Sequence, residues 1–153
     1  MKIKVEYITE GEEELLLRIY ETHQKEKEAI VAQAENLMQG RIVATVGEEK
    51  KIYQLAEILY FEYVEGKVFA YLQEELASVN FSLEQLEGML SKNGFVRASK
   101  SVLMNLNEVR SLKSAMGNRM LATMKNGEQI LISRHYGKQV RSFLKEGDAH
   151  GEI

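Results

Sequence analysis

The sequence predicts a strand-rich α+β protein in which antiparallel β-sheets are packed together with short helices. From residue 41 onward, short apolar runs alternate with turn signals at a spacing of about 8–12 residues, which is typical of packed antiparallel sheets. Runs with helical spacing are few and cover only residues 23–38, 83–90 and 135–144. A chain of 153 residues with 44% hydrophobic content can bury a proper core, so we expect one domain with a small N-terminal addition.

The N-terminal addition, residues 1–40, is predicted to be β-β-α or β-α. Apolar and charged residues alternate over residues 3–7, as in a half-buried strand. The run LLLRIY at residues 15–20 fits a buried strand or the start of a helix. We favour a strand, because Thr22 can cap a separate helix over residues 23–38 that ends at Gly40. Residues 1–40 are interpreted as a possible element for dimerisation or signal input.

The middle of the chain, residues 41–81, reads as five short strands. They are predicted over residues 41–46, 52–55, 58–64, 68–72 and 76–81. A turn over residues 47–51 separates the first two strands, and Glu65-Gly66-Lys67 forms the turn between the third and fourth.

The remainder begins with a helix over residues 83–90, in which Ser82 and Gln85 form a capping box and Asn93-Gly94 ends the segment. Strands follow over residues 95–98, 109–115, 120–125 and 129–133. Hairpin turns are predicted at Gly117-Asn118 and at Asn126-Gly127, the latter in the type I′ form. A last helix covers residues 135–144. The main domain thus spans residues 41–147, and residues 148–153 form a disordered tail.

The composition excludes several classes of site. The chain has no cysteine, which rules out disulfides and thiolate metal ligands. The three histidines, His23, His135 and His150, have no metal-ligand spacing, and no glycine-rich phosphate loop is present. We therefore expect no enzyme, metal, cofactor or small-molecule substrate. The N-terminus lacks the apolar run of a signal peptide, which favours a cytoplasmic protein.

The charge is divided sharply along the chain. Residues 1–91 carry 9 Lys and Arg against 18 acidic residues, whereas residues 92–145 carry 11 Lys and Arg against only 2 acidic residues. A basic segment in an acidic protein presents positive potential locally, and polyanions are its commonest target.

Within this basic segment, FVRASKSVLMNL at residues 95–106, an Asn-Gly-Glu turn and ISRHY at residues 132–136 resemble the LytTR family of bacterial DNA-binding domains. The family pattern is approximately Phe-x-Arg-x-His-Arg-Ser-x-x-Val-Asn, then Asn-Gly-Glu, then Val-Ser-Arg. Upstream, the YFE strand with its turn and the capped helix also look like the family. The resemblance covers roughly residues 41–145, and it implies sheets packed as in LytTR domains.

The resemblance implies binding to double-stranded DNA through three elements that enter successive major grooves: the turn Glu65–Lys67, the segment Ser99–Lys100, and Arg134 before the last helix. It also implies a homodimer on repeated half-sites. Arg134 can make a bidentate contact to guanine O6 and N7, and Lys100 can donate to guanine acceptors or to phosphate. The other residues expected at the DNA are Glu65, Gly66, Lys67, Arg97, Ser99, Ser101, Lys113, Ser133, His135 and Lys138. Ser99 departs from the family, which often has His there.

The resemblance is to short regulators without a receiver domain. Residues 1–40 contain no Asp, so no phosphorylation site is expected there. In such regulators a membrane protein encoded alongside often controls activity, and the resemblance implies such a partner. The alternative hypothesis is a protein–protein module of the same fold that offers its basic face to an acidic partner, with Ser99 as the hint.

Some of these residues have structural interpretations that remain open from sequence alone. Arg97 alternates with apolar neighbours and could lie on a solvated strand face, and His135 could simply begin the helix. Asn105 is expected to bond to backbone in a turn. Tyr60 and Phe61 are expected in the core rather than stacked on bases.

Overall fold

Three α-helices and ten β-strands make up the part of the chain that the structure, a computed structural model, describes, namely residues 10–11 and 24–150. The helices are α1 (Gln24–Met38), α2 (Leu83–Leu90) and α3 (Arg134–His150). The strands are β1 (Arg41–Val46), β2 (Glu49–Gln54), β3 (Tyr60–Val64), β4 (Lys67–Tyr71), β5 (Leu76–Val79), β6 (Phe95–Ser99), β7 (Val102–Asn105), β8 (Val109–Ala115), β9 (Arg119–Met124) and β10 (Gln129–Ile132). The strands predicted at residues 3–7 and 15–20, and the predicted cap Thr22, lie outside the described residues.

The strands form two antiparallel sheets. The larger has seven strands in the order β2-β1-β5-β4-β3-β7-β6, and the smaller has three in the order β10-β9-β8. In the larger sheet, β3 lies between β4 and β7, so the β3–β4 and β6–β7 hairpins are neighbours.

The two faces of the larger sheet fill two separate cores, because successive strand residues point to opposite sides. Phe61 and Leu103 pack into the first core, with the apolar face of α2. Their chain neighbours Tyr60 and Met104 pack into the second, with the smaller sheet and Val140 of α3. The expected core positions of Tyr60 and Phe61 are confirmed, since these residues are 9% and 0% exposed.

The helix ends follow local sequence signals. Ser82 Oγ accepts from the Gln85 N–H at 3.1 Å, and the Gln85 side chain accepts from the Ser82 N–H at 3.0 Å, so the predicted capping box is confirmed. Gly40 has a φ of +77° just beyond α1, a backbone conformation that glycine adopts without strain.

Several elements differ from prediction, and the clearest difference is a missed strand. No strand was predicted over residues 102–105, where β7 forms. The turn predicted over residues 47–51 is shorter, because β2 already begins at Glu49. The last helix extends to His150 rather than ending near residue 144, so it takes in three residues of the tail predicted to be disordered; residues 151–153 lie outside the description.

The Asn126-Gly127 turn is real, but its predicted type I′ form is wrong. Gly127 has a φ of +91°, whereas Asn126 does not adopt the positive φ that a type I′ turn requires. The Gly127 N–H instead bonds to the Met124 carbonyl at 2.9 Å, and Asn126 Oδ1 accepts from the Glu128 N–H at 3.0 Å. The Asn side chain thus stabilises a three-residue loop that ends in a glycine bulge.

Candidate nucleic-acid interface

The β3–β4 turn is the first of the three expected DNA-contacting elements. Val64 pairs with Lys67 across the hairpin, which leaves Glu65 and Gly66 as its two central residues. Both have positive φ, 47° and 86°, so this is the type I′ turn that matches the twist of the flanking strands. Glu65, Gly66 and Lys67 are all exposed.

The β6–β7 turn is the second element. Ser99 pairs with Val102, so Lys100 and Ser101 form the tip, and both are exposed. Ser99 Oγ lies 3.3 Å from the Ser101 amide nitrogen and 3.4 Å from Ser101 Oγ. The two serines therefore order the turn locally.

These two turns lie side by side. Glu62 of β3 pairs with Val102 of β7, and beyond that pair the Tyr63 N–H bonds to the Ser101 carbonyl at 2.8 Å. Sequence reasoning did not select Tyr63, although it is 52% exposed at this junction. The signal available was an aromatic residue beside the turn in the strand YFEYV.

The junction between β10 and α3 is the third element. The Ser133 N–H donates to the Ala98 carbonyl at 2.8 Å, which fixes the start of α3 against β6 one residue before Ser99. The Ser133 carbonyl accepts from the N–H groups of Tyr136 and Gly137, as expected at a helix start. The next two residues, Arg134 and His135, are exposed, and the His135 ring packs edge-on against Tyr136 at 4.8 Å. Ser133 Oγ is buried and has no hydrogen-bond partner in the described part of the chain.

Arg97 does not lie on a solvated strand face, because only 12% of its side chain is exposed. One terminal nitrogen, Nη1, donates to the carbonyls of Ser99 at 3.2 Å and Lys100 at 2.7 Å. Its Nε lies 3.3 Å from Glu87 Oε2 of α2, in an ion pair without hydrogen-bond geometry. The structure therefore places Arg97 behind the β6–β7 turn.

Lys113 and Lys138 lie outside this cluster of turns. Lys113 is exposed on β8, opposite Leu121, which is itself opposite Leu131 of β10. Two strand spacings, about 10 Å, therefore separate Lys113 from β10. Lys138 is exposed on α3 one turn beyond Arg134. Arg141, exposed one turn further along, continues this basic stripe, and its helical spacing was the signal that could have identified it.

Asn105 behaves as a structural residue, as expected. It is 1% exposed, and its Nδ2 donates to the Ile58 carbonyl at 2.9 Å. Its Oδ1 accepts from the Asn107 N–H at 3.1 Å. These bonds fasten the end of β7 to the segment before β3, so the two hairpins share a fixed base.

A tyrosine also links the two sheets. The Tyr60 ring stacks on Tyr71 with centroids 4.4 Å apart, while its hydroxyl bonds to Glu128 in the turn between β9 and β10. Burial, followed by the bond to the Glu128 carboxylate, raises the pKa of Tyr60 well above its ordinary value. The phenol therefore stays neutral and supports the docking of the smaller sheet.

The described residues contain no group of three His, Cys, Asp or Glu side chains placed to hold a metal ion. No described helix is both long and apolar enough to cross a membrane. Positive and hydroxyl side chains on three adjoining loops are suited to phosphates and base edges. The class that the fold and this surface define is a small, strand-rich nucleic-acid-binding domain.

The comparisons with known proteins identify the family. The family model of the LytTr DNA-binding domain matches residues 48–145, and this chain belongs to that family. The solved LytTr DNA-binding domain of a Bacillus cereus protein, described as a methyl-accepting/DNA response regulator, superposes with a TM-score of 0.65 at 22% identity. The match covers 69% of this chain and 96% of that one, and it confirms the predicted fold class.

Two full-length relatives are sensory transduction proteins named LytT. The one from Bacillus anthracis is 21% identical over 141 residues, covering 88% of this chain and 57% of its own length. The one from Bacillus subtilis is 24% identical over 143 residues, covering 92% and 59%. This chain thus spans little more than half the length of these relatives. Family membership confirms the prediction of a DNA-binding domain of the LytTR family.

Proposed function

We propose that this protein is a transcriptional regulator that binds specific double-stranded DNA sites through three adjoining elements: the β3–β4 turn, the β6–β7 turn and the β10–α3 junction. The observation that supports this mode is the pair of backbone bonds, Tyr63 to Ser101 and Ser133 to Ala98, that keep the elements in contact. Loops held in this way can enter grooves with a fixed spacing.

In this proposal some side chains contact base edges and others contact phosphates. Arg134 reads guanine through O6 and N7, and Lys100 donates to guanine acceptors or to phosphate. Ser101, Lys67 and Lys138 fix the register on phosphates, which position a protein without specifying sequence. His135 and Ser133 support Arg134 at the start of α3.

We extend the proposal to assembly and control. Two copies bind repeated half-sites as a homodimer in the cytoplasm, and a membrane protein encoded alongside regulates them. The sensory transduction proteins named LytT support a role in signal response. Light scattering with and without DNA, and co-purification with the product of the adjacent gene, test the two partners separately.

The decisive experiment for DNA binding is footprinting of the DNA upstream of the gene, compared with scrambled DNA, over a series of salt concentrations. Contacts to several phosphates should make affinity fall steeply as salt rises. Equal affinity for upstream and scrambled DNA at low salt would contradict the regulator. Capture of an acidic protein instead would favour the protein–protein module.

Arg134→Ala should cost about 1–3 kcal/mol of binding free energy and relax the preference at one base pair. The matched control is Arg110→Ala, which removes the same charge from an exposed position on β8. Fluorescence anisotropy on the footprinted site and on its single-base variants measures both effects. Equal binding by Arg134→Ala and wild type would remove Arg134 from the site, even if the protein binds DNA.

A further inference from the structure

The β6–β7 turn lacks the backbone conformation that normally stabilises a two-residue hairpin. Such hairpins favour type I′ or II′ turns, which need positive φ at the first central residue. Neither Lys100 nor Ser101 has a positive φ, whereas Glu65 in the neighbouring hairpin does. The contacts between Ser99 and Ser101 support the β6–β7 turn from within, and further support comes from outside its four residues.

A bulge in β6 increases the need for this support. Arg97 pairs with Leu103, but Ser99 pairs with Val102, so β6 contains one residue more than β7 in this interval. A bulge leaves backbone groups unpaired and bends the strand that carries it. The carbonyls just beyond this bulge are those of Ser99 and Lys100.

The Arg97 guanidinium satisfies both carbonyls. Its Nη1 donates to Ser99 at 3.2 Å and to Lys100 at 2.7 Å. Glu87 of α2 lies 3.3 Å from Nε, and the Tyr136 ring of α3 lies with its centre 6.0 Å from the guanidinium carbon. The planar guanidinium thus lies between α2 and α3 while it donates hydrogen bonds to the turn. The ammonium group of lysine cannot reproduce this geometry.

The same contacts argue against a phosphate-binding role. The Arg97 side chain is only 12% exposed, and the Glu87 carboxylate offsets its charge. Lys100 is the exposed cation at this tip. The positive charge that reaches a ligand here is therefore that of Lys100, on a backbone that Arg97 holds.

We propose that Arg97 is a positioning residue for DNA recognition, which acts by fixing the main chain of Lys100 rather than by touching DNA. The inference rests on the proposed function. Arg97 then shapes the β6–β7 turn, and Glu87 and Tyr136 hold its guanidinium in place.

The test is a double-mutant cycle read as affinity for the footprinted site. Arg97→Lys keeps the charge but loses the planar, forked donor, and we expect about a fivefold to tenfold loss of affinity in the wild-type background. In the Lys100→Ala background the same change should have almost no effect, because the group that it positions is gone. In the Lys67→Ala background, the matched control, the full loss should remain.

Other outcomes have distinct meanings. Unchanged affinity of Arg97→Lys overturns the inference, because it indicates that Arg97 contributes only its charge. Equal losses of affinity in all three backgrounds also overturn it, because they indicate a general loss of structure. Circular dichroism and the thermal midpoint establish that each variant is folded. If Arg97→Lys does not fold, Arg97→Gln, which retains an amide donor, is read in the same backgrounds. Absence of salt-dependent DNA binding by wild type overturns the proposed function and this inference together, whereas normal wild-type binding with an uncoupled Arg97 overturns the inference alone.

Discussion

The β3–β4 and β6–β7 turns adjoin each other and have the same length, yet they are stabilised in different ways. Glu65 and Gly66 hold the first turn through their own positive φ angles. The second turn has no positive φ, and the Arg97 side chain adds support to the contacts between Ser99 and Ser101 within the turn. One loop is therefore specified by two consecutive residues, and the other by residues from α2, β6 and α3 that meet only in the folded protein.

This difference determines how strongly the shape of each turn depends on the rest of the fold. The β3–β4 turn should keep its shape wherever a hairpin forms. The β6–β7 turn should keep its shape only while α2 and α3 are both docked, because Glu87 and Tyr136 flank the guanidinium.

Phe61→Ala should disturb both turns alike, because it damages the hydrophobic core on which both hairpins pack. Phe61 of β3 is fully buried, and its ring centre lies 5.5 Å from that of Phe95 of β6. Loss of the ring should cost about 3–5 kcal/mol of unfolding free energy. Chemical denaturation measures this, with Tyr63→Ala, an exposed position on the same strand, expected to cost much less. A loss below 1 kcal/mol would contradict a shared core.

Lys100→Ala and Lys67→Ala should separate the two turns by function. If the Arg97-supported turn reads bases, Lys100→Ala costs about 1–3 kcal/mol and changes the preference at one position. Lys67→Ala should weaken binding to all sequences and reduce the salt slope by about one. Competition against single-base variants of the site at several salt concentrations distinguishes them. Identical base profiles for both variants would show that neither turn is the reader.

Glu65→Asn should give the smallest effect, a gain of about 0.5–1 kcal/mol in stability. Glutamate at a φ of 47° is strained, whereas asparagine accepts this conformation and Asn-Gly is the favoured type I′ pair. Lys100→Asn is the control, since its φ is not positive and no gain is expected. Thermal and denaturant unfolding read both variants. A comparable gain at both positions would contradict the different backbone forms of the two turns.

Local signals in the sequence predicted the parts of the fold that depend on neighbouring residues. The Ser82 and Gln85 pair gave α2 its correct bounds, because capping acts within one helical turn. Strand β7 was missed because Leu103, Met104 and Asn105 are all buried, with a core on each face of the sheet. A strand covered on both faces shows no alternation of apolar and polar residues.

In the candidate site, too, the sequence predicted local features but not contacts between distant segments. Sequence reasoning selected the exposed tips, Lys67, Lys100 and Arg134, from their residue types and the family pattern. It could not assign Arg97 to the interior, because Glu87 and Tyr136 lie 10 and 39 residues away along the chain. It also gave no reason to link Ser133 with Ala98, which depends on how the smaller sheet docks.

The backbone bond between Ser133 and Ala98 joins the residue that follows β10 of the smaller sheet to β6 of the larger sheet. The amide of Ser133 can exchange its proton with solvent only after this bond opens, so its exchange rate reports how firmly the start of α3 is held against β6. A DNA site that engages loops from both sheets adds its binding free energy to this opening equilibrium. In the proposed binding mode, operator DNA would hold the two sheets together, and slower exchange of the Ser133 amide in the complex would measure that effect.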